Sequence, residues 1–264
     1  MIIPIGVANS ISANFQFDPL DTINFAKQKN FEILQVYLND GLLDKSDALQ
    51  SIGKASAEFQ NIFFHAEGYL NEEFAKSEYR SKLYQYLNRI DDPKYIIHFD
   101  ERENIDKLIR LVDLLGKETA NIYVENYFIG EGKVSAEKNL KKFLALFTLS
   151  TNFGTSIYPV LDIPRLFHEK LEFSEAESME WCYQILNFFG NRHIPLLLHL
   201  VDYQSASQMR SEFTAIGDGY IPYDKIFSFI AKTRPHISGI ILEFEDKINP
   251  LTSRDSIKDM LGIK

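Results

Sequence analysis

A chain of 264 residues, 45% hydrophobic and 25% charged, has ordinary globular composition and enough length to bury one large core. Its formal net charge of −9 and pI near 5.2 argue against a broad basic surface for nucleic acid, though a local basic groove stays compatible with them. The opening MIIPIGVANS lacks a basic segment followed by an apolar run and a cleavage site, and apolar runs such as IPLLLHLV (194–201) are too short to cross a bilayer. The expectation is a cytoplasmic protein with no membrane partner. Cys182, the only cysteine, excludes an internal disulfide and sits beside Trp181 in a helical pattern, the place of a small buried hydrophobe.

Strand-like and helical runs alternate from end to end. IIPIGVA (2–8) leads to a helix opened by Asp18 and Pro19, and EILQVYL (32–38) and NIFFHA (61–66) follow. Asn71 then precedes the amphipathic EEFAKSEYRSKLYQYL. KYIIHF (94–99) leads to Asn104 and IDKLIRLVDLL, and NIYVENY (121–127) leads to Ser135 and AEKNLKKFLALF. SIYPVLD (156–162) is followed by an S-x-x-E capping box, Ser174 with Glu177, before SMEWCYQILNFF. PLLLHLV (195–201) and GIILEFE (239–245) complete eight strands. Between these last two, DYQSASQMRSEFTAIGDGYIPYDKI spends roughly twenty residues before a helix settles, and long connections in compact domains are usually functional.

Strands apolar on both faces and alternating with helices imply an α/β fold with a covered parallel sheet. Eight such units fit a single (β/α)8 TIM barrel over residues 1–264. A doubly wound open sheet is the alternative. It normally shows a glycine-rich loop after its first strand, and NSISANFQFDP contains no glycine.

In a barrel of this kind the active site lies at the C-terminal ends of the strands. His65, His98, Glu125, Asp162, His199 and Glu243 close or nearly close six of the eight strands. A lone strand-end histidine is ordinarily a hydrogen-bonded core residue, and a lone glutamate can pair with a nearby base. The apolar runs holding Glu125 and Glu243 contain no such base, so convergence on one rim is the signal. Two Glu, one Asp and one His form a mixed oxygen and nitrogen set that suits one divalent ion (Mn, Mg, Co or Zn), with room for a second.

These residues resemble the xylose isomerase-like TIM barrels, a superfamily that includes sugar isomerases and epimerases and the endonuclease IV family. The resemblance covers nearly the whole chain and implies metal ligands at Glu125 in YVENY, Asp162 in VLDIPR, His199 in LLHLVD and Glu243 in ILEFE. GVANS (6–10), HAEGYLN (65–71) and IGDGYIP (216–222) are similar to words of the endonuclease IV family. In that family His65 and His98 would hold another zinc, bridged by Glu125. The third zinc of that family would need ligands where this chain has Arg165, Ser211 and Phe213, and neither Ser211 nor Phe213 supplies an anionic one.

The resemblance therefore implies a metal-dependent isomerase or epimerase acting on a carbohydrate or related hydroxy-carbonyl compound. Glu125 and Glu243 would be acid and base, and His65, His98 and Arg165 would contact substrate, Arg165 through an anionic group. Arg165 could instead pair with the rim carboxylates. An endonuclease IV-like phosphodiesterase acting on abasic DNA is the alternative, with nucleic acid the less favoured partner for so acidic a chain. A non-catalytic ligand-binding barrel is the third possibility, and a homo-oligomer is compatible with all three.

Overall fold

The computed structural model describes residues 3–116, 121–152, 157–206 and 212–262. Eight parallel strands close into a barrel: β1 (Ile5–Ala8), β2 (Ile33–Leu38), β3 (Asn61–Tyr69), β4 (Lys94–His98), β5 (Asn121–Glu125), β6 (Ile157–Asp162), β7 (Leu196–Leu200) and β10 (Ile237–Leu242). A two-stranded antiparallel hairpin, β8 (Asp202–Tyr203) with β9 (Phe213–Thr214), rises from the connection after β7. Among the described residues no helix is long and apolar enough to cross a membrane.

Strand side chains alternate with period two, so each strand turns one set toward the barrel axis and the other toward the helices. The inward set forms a plug of Ile33, Phe63, Ile96, Tyr123, Val160, Leu197 and Ile241. Two residues further along the same strands come Gln35, His65, His98, Glu125, Asp162, His199 and Glu243. The apolar plug is thus the floor beneath a polar layer, and both follow from one periodicity. Register keeps the layer level, pairing His98 with Glu125 and Asp162 with His199 across neighbouring strands.

On β1 the corresponding inward position is Gly6, paired with Ile33. A Cβ there would lie 2.0 Å from the Ile33 carbonyl oxygen, so the ring closes only where this strand carries no side chain.

Helices cover the outside, their apolar faces packed in a core that includes Leu108, Phe143, Leu186 and Phe227. Asp18 caps the helix Pro19–Gln28 through the Leu20 amide, and Ser174 and Glu177 make the expected reciprocal box at the helix Glu175–Asn191. Asn104 receives the Lys107 amide ahead of the helix Ile105–Gly116.

Two helical boundaries differ from the sequence expectation. The run after Asn71 is two helices, Glu72–Lys76 and Glu78–Leu87, because Ser77 leaves helical backbone and caps the second through the Arg80 amide. The helix expected to open at Ser135 begins at Lys133, where Gly132 takes the left-handed backbone that ends the preceding loop. Cys182 is buried, and burial pushes its thiol up to about 12, as a packing residue requires.

Candidate active site

Glu125 ends β5 with its carboxylate fully buried, and four side chains from different strands and loops converge on it. His65 Nε2 lies 3.0 Å from Oε2, and Arg165 Nε, from the turn after β6, donates to Oε1 at 3.1 Å. His199 Nδ1 stands 3.3 Å from Oε2 and His98 Nε2 3.7 Å from Oε1. Burial alone would raise this carboxyl, but His98, His199 and Arg165 outweigh it and hold it well below the usual carboxylate range. The base absent from the strand sequence is Arg165, supplied by a loop.

Arg165 serves a second acid as well. Its Nε lies 2.6 Å from Asp162 Oδ2, its backbone amide donates to Asp162 Oδ1 at 3.2 Å, and its guanidinium stacks 4.3 Å from the centre of the Tyr127 ring. With one guanidinium shared between two carboxylates, burial prevails at Asp162 and pushes it up to about 7 against the pull of Arg165, Glu125 and Glu243 adding to the push. Asn126 fixes the backbone beneath: its Oδ1 accepts the Asp162 amide at 2.7 Å and its Nδ2 donates to the Asp162 carbonyl at 3.1 Å.

On the other side, His199 Nδ1 also lies 3.3 Å from Glu243 Oε1, and Gln35 Nε2 donates to that same oxygen at 2.6 Å. Neither nitrogen of the buried His199 makes an aligned hydrogen bond, which is unusual for a polar group sealed from water. Burial pulls this imidazole down, yet Glu243 and Glu125 prevail and hold it up at about 9. His98 goes the other way, burial keeping it well below the usual imidazole value despite Glu125.

A stability prediction follows for the metal-free chain. The His199 value lies above the ordinary 6.5, so the stabilisation its charged form gives is complete below pH 6.5 and is lost as pH rises to about 9. Asp162, at about 7, completes a smaller loss of the same sign by about pH 8. Urea unfolding in chelator should therefore show a loss on the order of 2 kcal/mol between pH 7 and 9, most of it absent in His199→Gln.

The donors fit a divalent ion. Donor atoms of His65, His98 and Glu125 lie within 4.8 Å of one another. His65 Nδ1 faces the Ala66 carbonyl at 3.0 Å, so the tautomer that donates there turns the Nε2 lone pair on a carboxylate oxygen, an opposition a cation would relieve. The set expected from the sequence, Glu125, Asp162, His199 and Glu243, is also gathered, with Arg165 against two of its members.

An aromatic wall adjoins the donors, with Tyr127 4.6 Å and Tyr69 5.7 Å from the His98 ring between centroids. A cavity of about 430 Å³ opens beside it, lined among others by Tyr127, Asp162, Arg165, Tyr203, Phe213 and Glu243. Phe213 lies in β9 with its ring 5.9 Å from that of Phe244, an apolar contact at a place considered for a metal ligand. Ser211 lies outside the described residues.

Sequence reasoning passed over Gln35, Asn126, Tyr127 and Asp202. Asp202 is fully buried and accepts four backbone amides: Tyr203 at 2.9 Å and Ile221 at 3.1 Å on Oδ1, and Gly217 and Gly219 at 3.2 Å each on Oδ2. It ties the IGDGYIP loop back to the end of β7, beside the cavity-lining Tyr203. A Cβ at Gly219 would lie 2.3 Å from Asp202 Oδ1, which explains that glycine.

No family model and no curated protein matches the sequence. Solved structures do match. One is a xylose isomerase-like TIM barrel/4-hydroxyphenylpyruvate dioxygenase fusion protein, at a TM-score of 0.69 and 13% identity over 99% of this chain and 44% of that one. The chain has the xylose isomerase-like TIM-barrel fold. A D-psicose 3-epimerase, crystallised in the presence of D-fructose, shares this fold at a TM-score of 0.62 and 11% identity, covering 98% of this chain and 100% of that one. SacUVDE matches at 0.57 and 14% identity, covering 98% and 99%. This chain spans less than half of the fusion protein's length.

Proposed function

We propose that this chain is a divalent-metal-dependent isomerase or epimerase acting on a sugar, sugar phosphate or related hydroxy-carbonyl compound. The observation that carries the reading is the placement of two carboxylates, Glu125 and Glu243, each 3.3 Å from His199 Nδ1 in the same layer as His65 and His98. His65, His98 and Glu125 would hold the ion. Bound there, it would polarise a substrate carbonyl and its neighbouring hydroxyl.

The chain's own groups supply the rest. Glu125 and Glu243 approach from different strands, an arrangement that lets one remove a proton from carbon while the other returns one to the opposite face. Gln35 holds Glu243 by a side-chain hydrogen bond and so fixes which carboxylate oxygen is free. Tyr127 and Tyr69 offer flat apolar surface to the carbon skeleton, and the cavity volume of about 430 Å³ suits a small molecule. The D-psicose 3-epimerase with the same fold supports this class of substrate by analogy of fold.

The test is elemental analysis of protein purified without chelator, followed by assay of ketose and ketose-phosphate epimerisation by NMR. About one equivalent of Mn, Co or Mg with turnover of one such substrate supports the reading. Absence of bound metal, with no thermal stabilisation on adding any of these ions or Zn, defeats it. Two equivalents of zinc with cleavage of abasic-site DNA would replace it with the phosphodiesterase reading.

A further inference from the structure

Both oxygens of Glu125 are shared. Oε2 faces His65 and His199, whereas Oε1 takes the hydrogen bond from Arg165 with His98 3.7 Å away. Arg165 Nε also lies 2.6 Å from Asp162, and His199 Nδ1 stands 3.3 Å from both Glu125 Oε2 and Glu243 Oε1 without an aligned hydrogen bond to either. Four potential cation ligands from four strands thus surround a region that already holds a guanidinium. Asp162 is held twice by the same residue, through its side-chain Nε and its backbone amide, and the Tyr127 ring backs the guanidinium plane.

We infer that Arg165 is a tethered cation occupying the second of two cation positions in this layer, so that the chain takes one divalent ion where its ligand set could hold two. The inference rests on the reading that His65, His98 and Glu125 bind a metal. Charge count supports it: with His199 neutral, as a metal ligand must be, Glu125, Asp162 and Glu243 are three carboxylates, balanced by one guanidinium and one divalent ion. Without the guanidinium they exceed one divalent ion by a full charge, and a buried excess of that kind recruits a counter-ion. The role is one of positioning and specificity. A guanidinium cannot bind water as a nucleophile or exchange with solvent ions, so it fixes the charge of this position without lending it Lewis-acid chemistry.

The test compares the wild-type chain with Arg165→Met, which keeps bulk and removes charge, and with Arg165→Lys, which keeps a tethered charge. Each is stripped with chelator, equilibrated with Mn²⁺ by dialysis and assayed for bound metal, with folding checked by circular dichroism. One equivalent in the wild type and in Arg165→Lys, and two in Arg165→Met, is the expected result. A second readout is thermal: saturating Mn²⁺ should raise the Tm of Arg165→Met more than that of the wild type. Equal stoichiometry in wild type and Arg165→Met overturns the assignment, and so do two tightly held equivalents in the wild type, a result that needs no variant to fold. Absence of any ion in the wild type defeats the metal-dependent reading instead, and the role of Arg165 then turns on whether Arg165→Met gains one.

Discussion

Glu125→Gln is expected to lower divalent-metal affinity by more than about 100-fold, beyond what loss of a residue that merely orients a ligand costs. It is also expected to destabilise the metal-free chain by about 3–5 kcal/mol, the cost of removing one partner from a buried ion pair. Glutamine keeps the shape and one carbonyl acceptor, so the loss reads charge and not volume. Two cationic partners, Arg165 and His199, would be left with a neutral amide at 3.1 and 3.3 Å. Calorimetric titration with Mn²⁺ and urea unfolding in chelator measure the two effects separately. Wild-type metal affinity in this variant would remove Glu125 from the ligand set, while unchanged stability would mean that the ion pairs are idle.

The second large effect belongs to Asp202, far from the donors in sequence logic but adjacent to the cavity. Asp202→Ala strands four backbone amides at once, those of Tyr203, Gly217, Gly219 and Ile221. Each unsatisfied donor costs about 1–3 kcal/mol, and partial entry of water limits the total to roughly 3–5 kcal/mol. Hydrogen exchange at those four amides should accelerate more than at the β5 and β6 amides, because the loss is local to the loop. Tyr203 lines the cavity, so KM for any turned-over substrate should rise more than kcat falls. An unaltered exchange pattern at Gly217 and Gly219 would show that the loop holds itself.

What the sequence discloses about this barrel tracks the physics of each element. Strands such as NIYVE and LLLHL are legible because an apolar run bounded by polar turns admits few other structures, and Ser174 with Glu177 is legible because the reciprocal cap is written in two residues. The break at Ser77 is not, since a serine inside an amphipathic run reads equally as an exposed helical position. The β8–β9 hairpin has strands of two residues each, too short to carry any periodicity.

The site divides in the same way. His65, His98, Glu125, Asp162, His199 and Glu243 stand out as ionisable residues ending apolar runs, and the structure gathers all six in one layer. Gln35 obeys the same period-two rule, two residues after Ile33 of the plug, yet an uncharged amide in EILQVYL gives no chemical signal. The partner of Arg165 depends on how a turn folds back over two strand ends, and no local pattern encodes that. The structure places its Nε on the two rim carboxylates.

Glu125 and Glu243 share one imidazole nitrogen, but their side chains differ in access to water, 1% against 27% exposed. In the proposed reaction a proton on Glu243 would trade with bulk solvent between turnovers, whereas one taken up transiently by Glu125 would be sequestered by the floor below and the cations around it. In heavy water, an enzyme built this way would deliver deuterium readily from one face of its substrate and return a retained hydrogen from the other. The barrel's two ends of a single proton path would then carry different isotopic memories, in forward and reverse reactions alike.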